Sequence, residues 1–306
     1  MRKVFIFLMM FFGGRELLAC DICGCGVGSY YIGLLPEFKK HFFGFRYQYK
    51  SMRTHIGAGG VSSYLTSEET YQTAEIWGGW NIGKKFRVLA FVPYNIDSRM
   101  NQDTTHHKNG IGDIAAVAYY QVLDSRHTTG EHLLVQSLWL GAGVKVATGG
   151  YEAYERDIYA SLPNTFQLGT GSTDFTLNAM YDIRLQDLGL NTNVSYKVNT
   201  ANKYRYRYGN KLSLNSQLYY KINVARKVTF APNIGVLYER AAKDVSENKF
   251  QEDQSGGHSL MGAAGVEVAF AKISLGGNFQ TPLSQELGGG SVKAFNRGMV
   301  HISFTL

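Results

Sequence analysis

The sequence predicts an all-β protein: a single antiparallel up-and-down transmembrane β-barrel of about 12 strands. From Phe43 to Leu306, apolar and polar side chains alternate in stretches of about ten residues, as in a sheet with one face toward lipid. Short turns and long polar loops follow these stretches in alternation. The chain contains 20 Tyr, 18 Phe and 35 Gly but only 5 Pro, which favours many strands with aromatic girdles over helices.

Each predicted strand is a run with period-two alternation that ends at a turn signal or a polar loop. In the first, Phe43, Phe45, Tyr47 and Tyr49 share the outward face. The predicted strands cover 41–50, 74–82, 86–96, 114–122, 134–146, 175–183, 190–198, 212–222, 228–238, 260–270, 273–279 and 300–306. An even number of strands places both termini in the periplasm. The alternative is a soluble β-sandwich, which also alternates.

The N-terminus predicts export. Arg2 and Lys3 precede an apolar run over 4–12, which is too short to be a transmembrane helix. The residues Leu17-Leu18-Ala19-Cys20 resemble a lipobox, in which Cys20 would be lipidated; the alternative is ordinary cleavage that leaves Cys20 free. The predicted division is a signal peptide or lipoprotein signal over 1–19, a Cys-rich periplasmic segment over 20–36 and the barrel over 37–306.

The positive formal charge favours lipopolysaccharide or anionic solutes as partners over nucleic acid. Removal of 1–19 takes away three basic residues and one acidic residue, a net loss of two, so the charge falls from +7 to +5. An exported chain whose longest basic runs are pairs of lysines does not resemble a nucleic-acid binder. The predicted partners are outer-membrane lipid and lipopolysaccharide, the barrel-assembly machinery, which reads an alternating C-terminal strand, and a small-molecule solute.

All three cysteines lie in one short segment, at Cys20, Cys23 and Cys25. Closely spaced thiolates suit Cu(I) or Zn(II), and they also suit a local disulfide. The third reading is a lipid anchor at Cys20 with incidental thiols, since two remaining ligands make an incomplete zinc site. No other cofactor is predicted, and the segment could serve a periplasmic partner.

Thirteen ionisable residues are predicted to face the lumen of the barrel. Burying an unpaired charge in a dry interior costs free energy, so the sequence implies a water-filled pore or a plug in which the charges form salt bridges. In a pore, rings of charge would set selectivity. The residues are Arg46, Lys50, Glu75, Arg87, Asp113, Lys145, Asp174, Asp182, Arg184, Lys197, Lys211, Glu267 and Arg297.

Two histidine patterns raise other functions. His106 and His107 follow Asp103 in a predicted loop and could bind a metal, although such a loop is more often simply solvated. The spacing of His301 and Ser303 resembles that of the catalytic pair in outer-membrane phospholipases. Parity places both on the inward face, away from lipid, which argues against that reading.

Several Gly-rich stretches resemble the outer-membrane channel family named for the meta pathway of phenol degradation. They are Val92-Pro93-Tyr94, Gly110 to Ile114, Leu140 to Gly149 and Phe166 to Asp174. The resemblance implies an outer-membrane barrel that passes small molecules, and it brings no catalytic residue. The cysteine-rich start departs from that family, and together with the abundant Phe and Tyr it resembles outer-membrane proteins of the Bacteroidetes type.

The leading functional hypothesis is a channel or transporter for small solutes, with selectivity set by the charged lumen and the long extracellular loops. The alternative is an accessory or structural barrel whose periplasmic thiols handle copper or zinc. The third hypothesis, a lipid hydrolase, is disfavoured by parity, and we do not expect an enzyme. Both an open and a plugged lumen fit the sequence.

Overall fold

The chain forms a closed antiparallel barrel, which confirms the predicted fold class. The structure is a computed structural model, and it describes residues 40–102, 104–130, 132–152, 166–224 and 227–306. Sixteen strands are present in that part of the chain. They are β1 (Phe42–Thr54), β2 (Ser67–Ile82), β3 (Phe86–Asn101), β4 (Thr104–Ile111), β5 (Ala115–Thr129), β6 (His132–Lys145), β7 (Asp174–Leu185), β8 (Leu188–Val198), β9 (Lys211–Tyr220), β10 (Ile222–Val224), β11 (Val228–Ala241), β12 (Val245–Ser246), β13 (Phe250–Gln251), β14 (Gly257–Phe270), β15 (Ile273–Leu287) and β16 (Lys293–Thr305).

Neighbouring strands pair in sequence order around the barrel. β4 and β5 both pair with β3 and so act as one interrupted strand, and β9 and β10 both pair with β11. The pairing of β1 with β16 closes the sheet. β12 and β13 form a separate small hairpin in the connection between β11 and β14. Twelve strands therefore build the wall, in agreement with the sequence.

The two faces of the sheet differ in polarity as the alternation predicts. In β1, Phe45 and Tyr47 are exposed on the outer face, whereas Arg46 between them is buried inside. The outer face carries an apolar band in which rings such as Phe86 and Tyr120 contact each other, with centroids 4.9 Å apart. Within the described residues, no helix is long and apolar enough to cross a membrane.

Many strands are longer than the sequence predicts, and the extensions occur at both ends of the barrel: β5 continues to Thr129 at one end, and several further strands extend at the other. β2 begins at Ser67 rather than at 74, β15 continues to Leu287, and β16 begins at Lys293. The polar stretch with His106 and His107 is β4, not a loop. Hydropathy alternation vanishes where both faces of a strand meet polar surroundings, so a pattern-based prediction ends there although the backbone pairing continues.

The connections define the two ends of the barrel. The short-turn end carries 83–85, 186–187 and 271–272, and the long-loop end carries 55–66, 146–173, 199–210 and 242–256. The Leu306 N–H donates to the His41 carbonyl oxygen at 2.9 Å, so both ends of the barrel wall lie at the short-turn end. The signal peptide, the segment with Cys20, Cys23 and Cys25, and the start of the barrel at 37 lie outside the described residues and stay predictions.

Candidate functional site

The lumen contains a buried ion cluster centred on Lys145. This side chain is 1% exposed, and its Nζ lies 2.6 Å from Asp113 Oδ2 and 2.8 Å from Asp174 Oδ2. Lys145 also donates to the Thr170 hydroxyl. The register pairs Lys145 with Asp174 across β6 and β7, so the sheet itself brings the two charges together.

The cluster continues around the lumen as a belt. Lys197 Nζ lies 3.6 Å from Asp174 Oδ2, and the register sets Lys197 directly opposite Lys211. Glu239 then binds both Lys211 and Arg297, each at 2.6 Å. Since β14 and β15 lie between the strands of Glu239 and Arg297, this ion pair crosses part of the lumen. Lys50 pairs in register with Arg297. The charged belt comprises Asp113, Lys145, Asp174, Lys197, Lys211, Glu239, Arg297 and Lys50, with five cations and three carboxylates.

The residues 166–173, here called the inner segment, fold into the barrel at the long-loop end. Phe166 is fully buried against the Tyr71 ring, with centroids 6.5 Å apart. Asn95 Nδ2 donates to the Leu168 carbonyl oxygen at 3.1 Å, and the Thr170 N–H donates to Asp113 Oδ2 at 2.8 Å. These contacts tie the segment to the walls formed by β2, β3 and the start of β5, so it narrows that side of the mouth.

Below the inner segment, an aromatic cluster fills the lumen beside β1 to β7. Its core is Trp77, which meets the Phe42 ring edge-on at 4.7 Å and lies parallel to the Phe91 ring at 6.4 Å. The indole fits because Gly44 faces it across the strands, where a Cβ would lie 3.0 Å from Trp77 Nε1. The cluster comprises Phe42, Trp77, Leu89, Phe91, Ala115, Val117, Tyr119, Trp139 and Met180.

The opposite wall, from β8 to β15, carries a set of amides on its inner face, beside buried apolar side chains such as Leu237 and Met261. In register, Asn191 faces Gln217 and Asn193 faces Asn215. We call this set the amide wall; it consists of Asn191, Asn193, Asn215, Gln217, Asn233, Asn278 and Gln280. Several of these amides bond only along their own strand, as Asn193 Nδ2 does to Asn191 Oδ1 at 2.6 Å. Their remaining polar atoms face the lumen, which suits passage of polar molecules.

The other sequence-predicted lumen residues lie outside the belt. Arg46 forms a buried ion pair with Glu75 and places its guanidinium 5.4 Å from the centre of the Trp77 ring. Arg87 donates to the Lys40 carbonyl oxygen at 3.1 Å. The remaining three lie near the short-turn end. Asp182 accepts from the Tyr219 hydroxyl at 3.0 Å, Arg184 donates to the Gln186 carbonyl oxygen at 2.5 Å, and Glu267 is buried on the inward face.

Sequence reasoning missed four charged residues that are buried in the strands of the wall. Glu239 joins the two halves of the belt, and Glu69, Asp97 and Arg99 line the long-loop end, where Arg99 Nε lies 3.6 Å from Glu69 Oε1. All four fall at or beyond the predicted strand limits. Continuing the alternation past those limits would have found them, because Glu239 follows the inward Leu237 by two residues.

The geometry of the described residues does not support a metal site at His106 and His107 or a hydrolase pair at His301 and Ser303. His106 and His107 are consecutive in β4, so their side chains point to opposite faces and cannot share one ion. Asp103 lies outside the described residues, and in the rest of the described chain no group of three metal-ligating side chains comes together. His301 and Ser303 are both buried on the inward face, as parity predicts.

We expect His55, at the start of the loop after β1, to make the protein less stable in acid. Burial, and second the nearby Arg99 guanidinium, lower the pKa of His55 from 6.5 to about 4. The folded state favours the neutral imidazole. His55 therefore contributes fully to the free energy of unfolding above pH 6.5, and this contribution is lost as the pH falls from 6.5 toward 4. Wild type should therefore lose about 1–2 kcal/mol more unfolding free energy between pH 7 and pH 4 than His55→Asn, measured by urea titration. Equal pH dependence of the two proteins would contradict this.

Comparisons with known proteins bear on this architecture. No protein-family model and no curated protein matches the chain. The crystal structure of the COG4313 outer-membrane channel from Pseudomonas putida F1 is similar with a TM-score of 0.62 and 15% identity, covering 92% of this chain and 100% of that one. The beta domain of the Bordetella autotransporter BrkA is similar with a TM-score of 0.53 and 11% identity, covering 87% and 100%. At these identities the likeness establishes a shared barrel fold.

Proposed function

We propose that this protein is a bacterial outer-membrane channel for small solutes that prefers anions. The observation that carries the proposal is the charged belt, whose eight members hold two more cations than carboxylates. The register sets two cation pairs side by side, Lys197 with Lys211 and Lys50 with Arg297. A ring of this charge attracts anions and repels cations in a confined path.

The outer surface supports the membrane location. Its exposed apolar band is the surface that a barrel presents to lipid, and lipopolysaccharide would contact the long-loop end. Short turns usually mark the periplasmic side, so His41 and Leu306 would lie there, together with the Cys-rich segment before them. The fold shared with a known outer-membrane channel agrees with this assignment.

The proposed path is displaced from the barrel axis. The inner segment and the aromatic cluster both occupy the side of β1 to β7, through Phe166 and Trp77 respectively. The amide wall faces them across the lumen. Solutes would pass the belt and then follow the amides toward the short-turn end, where hydrogen-bonding groups replace part of the solvent shell.

Removing two cations from the belt should abolish the anion preference. The double variant Lys197→Gln, Lys211→Gln reduces the excess of cations from two to zero. The measurement is the reversal potential of the reconstituted full chain in a planar bilayer under a KCl gradient. Wild type should favour chloride, and the variant should favour neither ion.

The matched control is Lys84→Gln, Lys85→Gln, which removes the same charge from an exposed short turn. Solvent and salt screen that site, so its reversal potential should stay close to the wild-type value. A folded wild-type barrel without conductance would remove the channel proposal. A wild type that conducts but favours potassium would leave the channel and overturn its anion preference.

A further inference from the structure

A row of five residues crosses the inner face of β9, β11, β14, β15 and β16. In register, Tyr219 faces Asn233, Asn233 faces Gly265, Gly265 faces Asn278, and Asn278 faces Met299. Although three strands separate them, Tyr219 and Met299 pack against each other. The two end residues therefore close over the middle three, and the row forms a covered cradle with Gly265 as its floor.

The amides on both sides of Gly265 are oriented by their neighbours. Asn233 Nδ2 donates to the Ala231 carbonyl oxygen at 3.2 Å, and Asn278 Oδ1 accepts from Gln280 Nε2 at 3.0 Å. The Oδ1 of Asn233 and the Nδ2 of Asn278 then remain without a partner, although the two residues are only 7% and 5% exposed. A buried polar atom without a hydrogen-bond partner costs about 1–3 kcal/mol, so a ligand atom that bonds these two atoms would recover that free energy.

Both unpartnered atoms face the same point. A Cβ on Gly265 would lie 2.5 Å from the Gly277 carbonyl oxygen, 2.8 Å from Asn233 Oδ1 and 3.0 Å from Asn278 Nδ2, so no side chain fits there. One acceptor and one donor thus flank the bare backbone of Gly265, from the strands on its two sides. A third buried amide atom without a partner, Gln217 Oε1, lies on the neighbouring strand β9.

We propose that this cradle binds a hydroxyl group of a neutral polyol in the lumen. A hydroxyl donates one hydrogen bond and accepts others, so it satisfies Asn233 Oδ1 and Asn278 Nδ2 together. A carboxylate cannot donate to Asn233 Oδ1, and an ammonium cannot accept from Asn278 Nδ2. The Tyr219 ring and the Met299 side chain offer an apolar cover for the carbon skeleton, while the Tyr219 hydroxyl is held by Asp182.

The cradle rests on the proposed function, because a solute would reach it through the lumen, but its binding chemistry is tested separately. The full chain in detergent micelles is titrated with xylitol and with the pentamethyl ether of xylitol, and binding is followed by saturation-transfer NMR. Xylitol should bind the wild type. The ether keeps every oxygen but has no hydroxyl donor, so it should not bind.

Two variants with the same chemical change give opposite expectations. Asn233→Asp keeps an acceptor oxygen, so its xylitol affinity should stay within about threefold of wild type. Asn278→Asp replaces the donor by an oxygen and should weaken binding about tenfold or more. If Asn278→Asp does not fold, Asn278→Ala removes the same donor. Asn178→Leu, which removes an inward amide on β7, should bind as wild type does.

Three results would overturn the cradle. The first is a wild type that binds the ether as well as xylitol, or that binds neither. The second is equal xylitol affinity of Asn233→Asp and Asn278→Asp, and the third is loss of xylitol binding in Asn178→Leu alone. A protein that conducts but does not bind xylitol refutes the cradle and leaves the channel. A protein that binds xylitol without conducting ions does the reverse.

Discussion

Replacing Lys145 by Met should lower the free energy of unfolding by about 3–5 kcal/mol, the largest stability effect that we expect in this barrel. Methionine keeps the length of the side chain and removes its charge. Asp113 and Asp174, which lie 2.6 and 2.8 Å from Lys145 Nζ, would then remain as two buried carboxylates without their shared cation. The inner segment would also lose support, because Lys145 and Asp113 both bond Thr170.

The matched control is Lys243→Met at an exposed ion pair, where Lys243 Nζ lies 2.7 Å from Asp253 Oδ1. An ion pair in solvent contributes at most about 1 kcal/mol, so this variant should be nearly as stable as wild type. Urea titration of barrels refolded into lipid vesicles measures both. Adding Asp113→Asn and Asp174→Asn to Lys145→Met should recover part of the loss, since neutral amides need no counterion. An effect of Lys145→Met no larger than that of the control would contradict the buried-cluster account.

The wall of this barrel was predictable because lipid imposes a strict pattern on a strand. Phe43, Phe45, Tyr47 and Tyr49 alternate with polar residues, and this alternation predicts both a strand and its outward face. The pattern fails where lipid ends. At the start of β2, Glu68 and Glu69 are both polar, although Glu68 faces solvent and Glu69 is fully buried. Only the strand pairing, which hydropathy does not encode, shows that the sheet continues.

The lumen was predictable as a set of residues but not as an arrangement. Parity alone identifies Lys145, Lys197 and Lys211 as inward residues. Their partners depend on register between strands that are far apart in sequence, as for Glu239, which lies 58 residues from Arg297. The closure of Tyr219 onto Met299 depends further on the curvature of the barrel. Packing across a lumen is a property of the closed sheet, so no local pattern reports it.

Replacing Trp77 by Ala should increase the single-channel conductance and cost about 3 kcal/mol of unfolding free energy, or less where water fills the space. Trp77 is 1% exposed and joins Phe42 to Phe91 at the centre of the aromatic cluster. Its removal widens the lumen on the side that the cluster fills, and it leaves the Arg46 guanidinium with only the Phe91 ring of the two rings beside it.

Trp80 is a matched control for this substitution. It lies three residues farther along the same strand and faces outward, 58% exposed, where it stacks on His41 with ring centroids 4.2 Å apart. Trp80→Ala removes the same side chain from the outer surface, so planar-bilayer recordings should give the wild-type conductance. If Trp77→Ala also conducts as wild type, the aromatic cluster does not limit the path, and the narrowest point lies at the inner segment or the charged belt. Increased conductance for Trp77→Ala alone would show that the rings of β1 to β7 confine solutes to the amide wall.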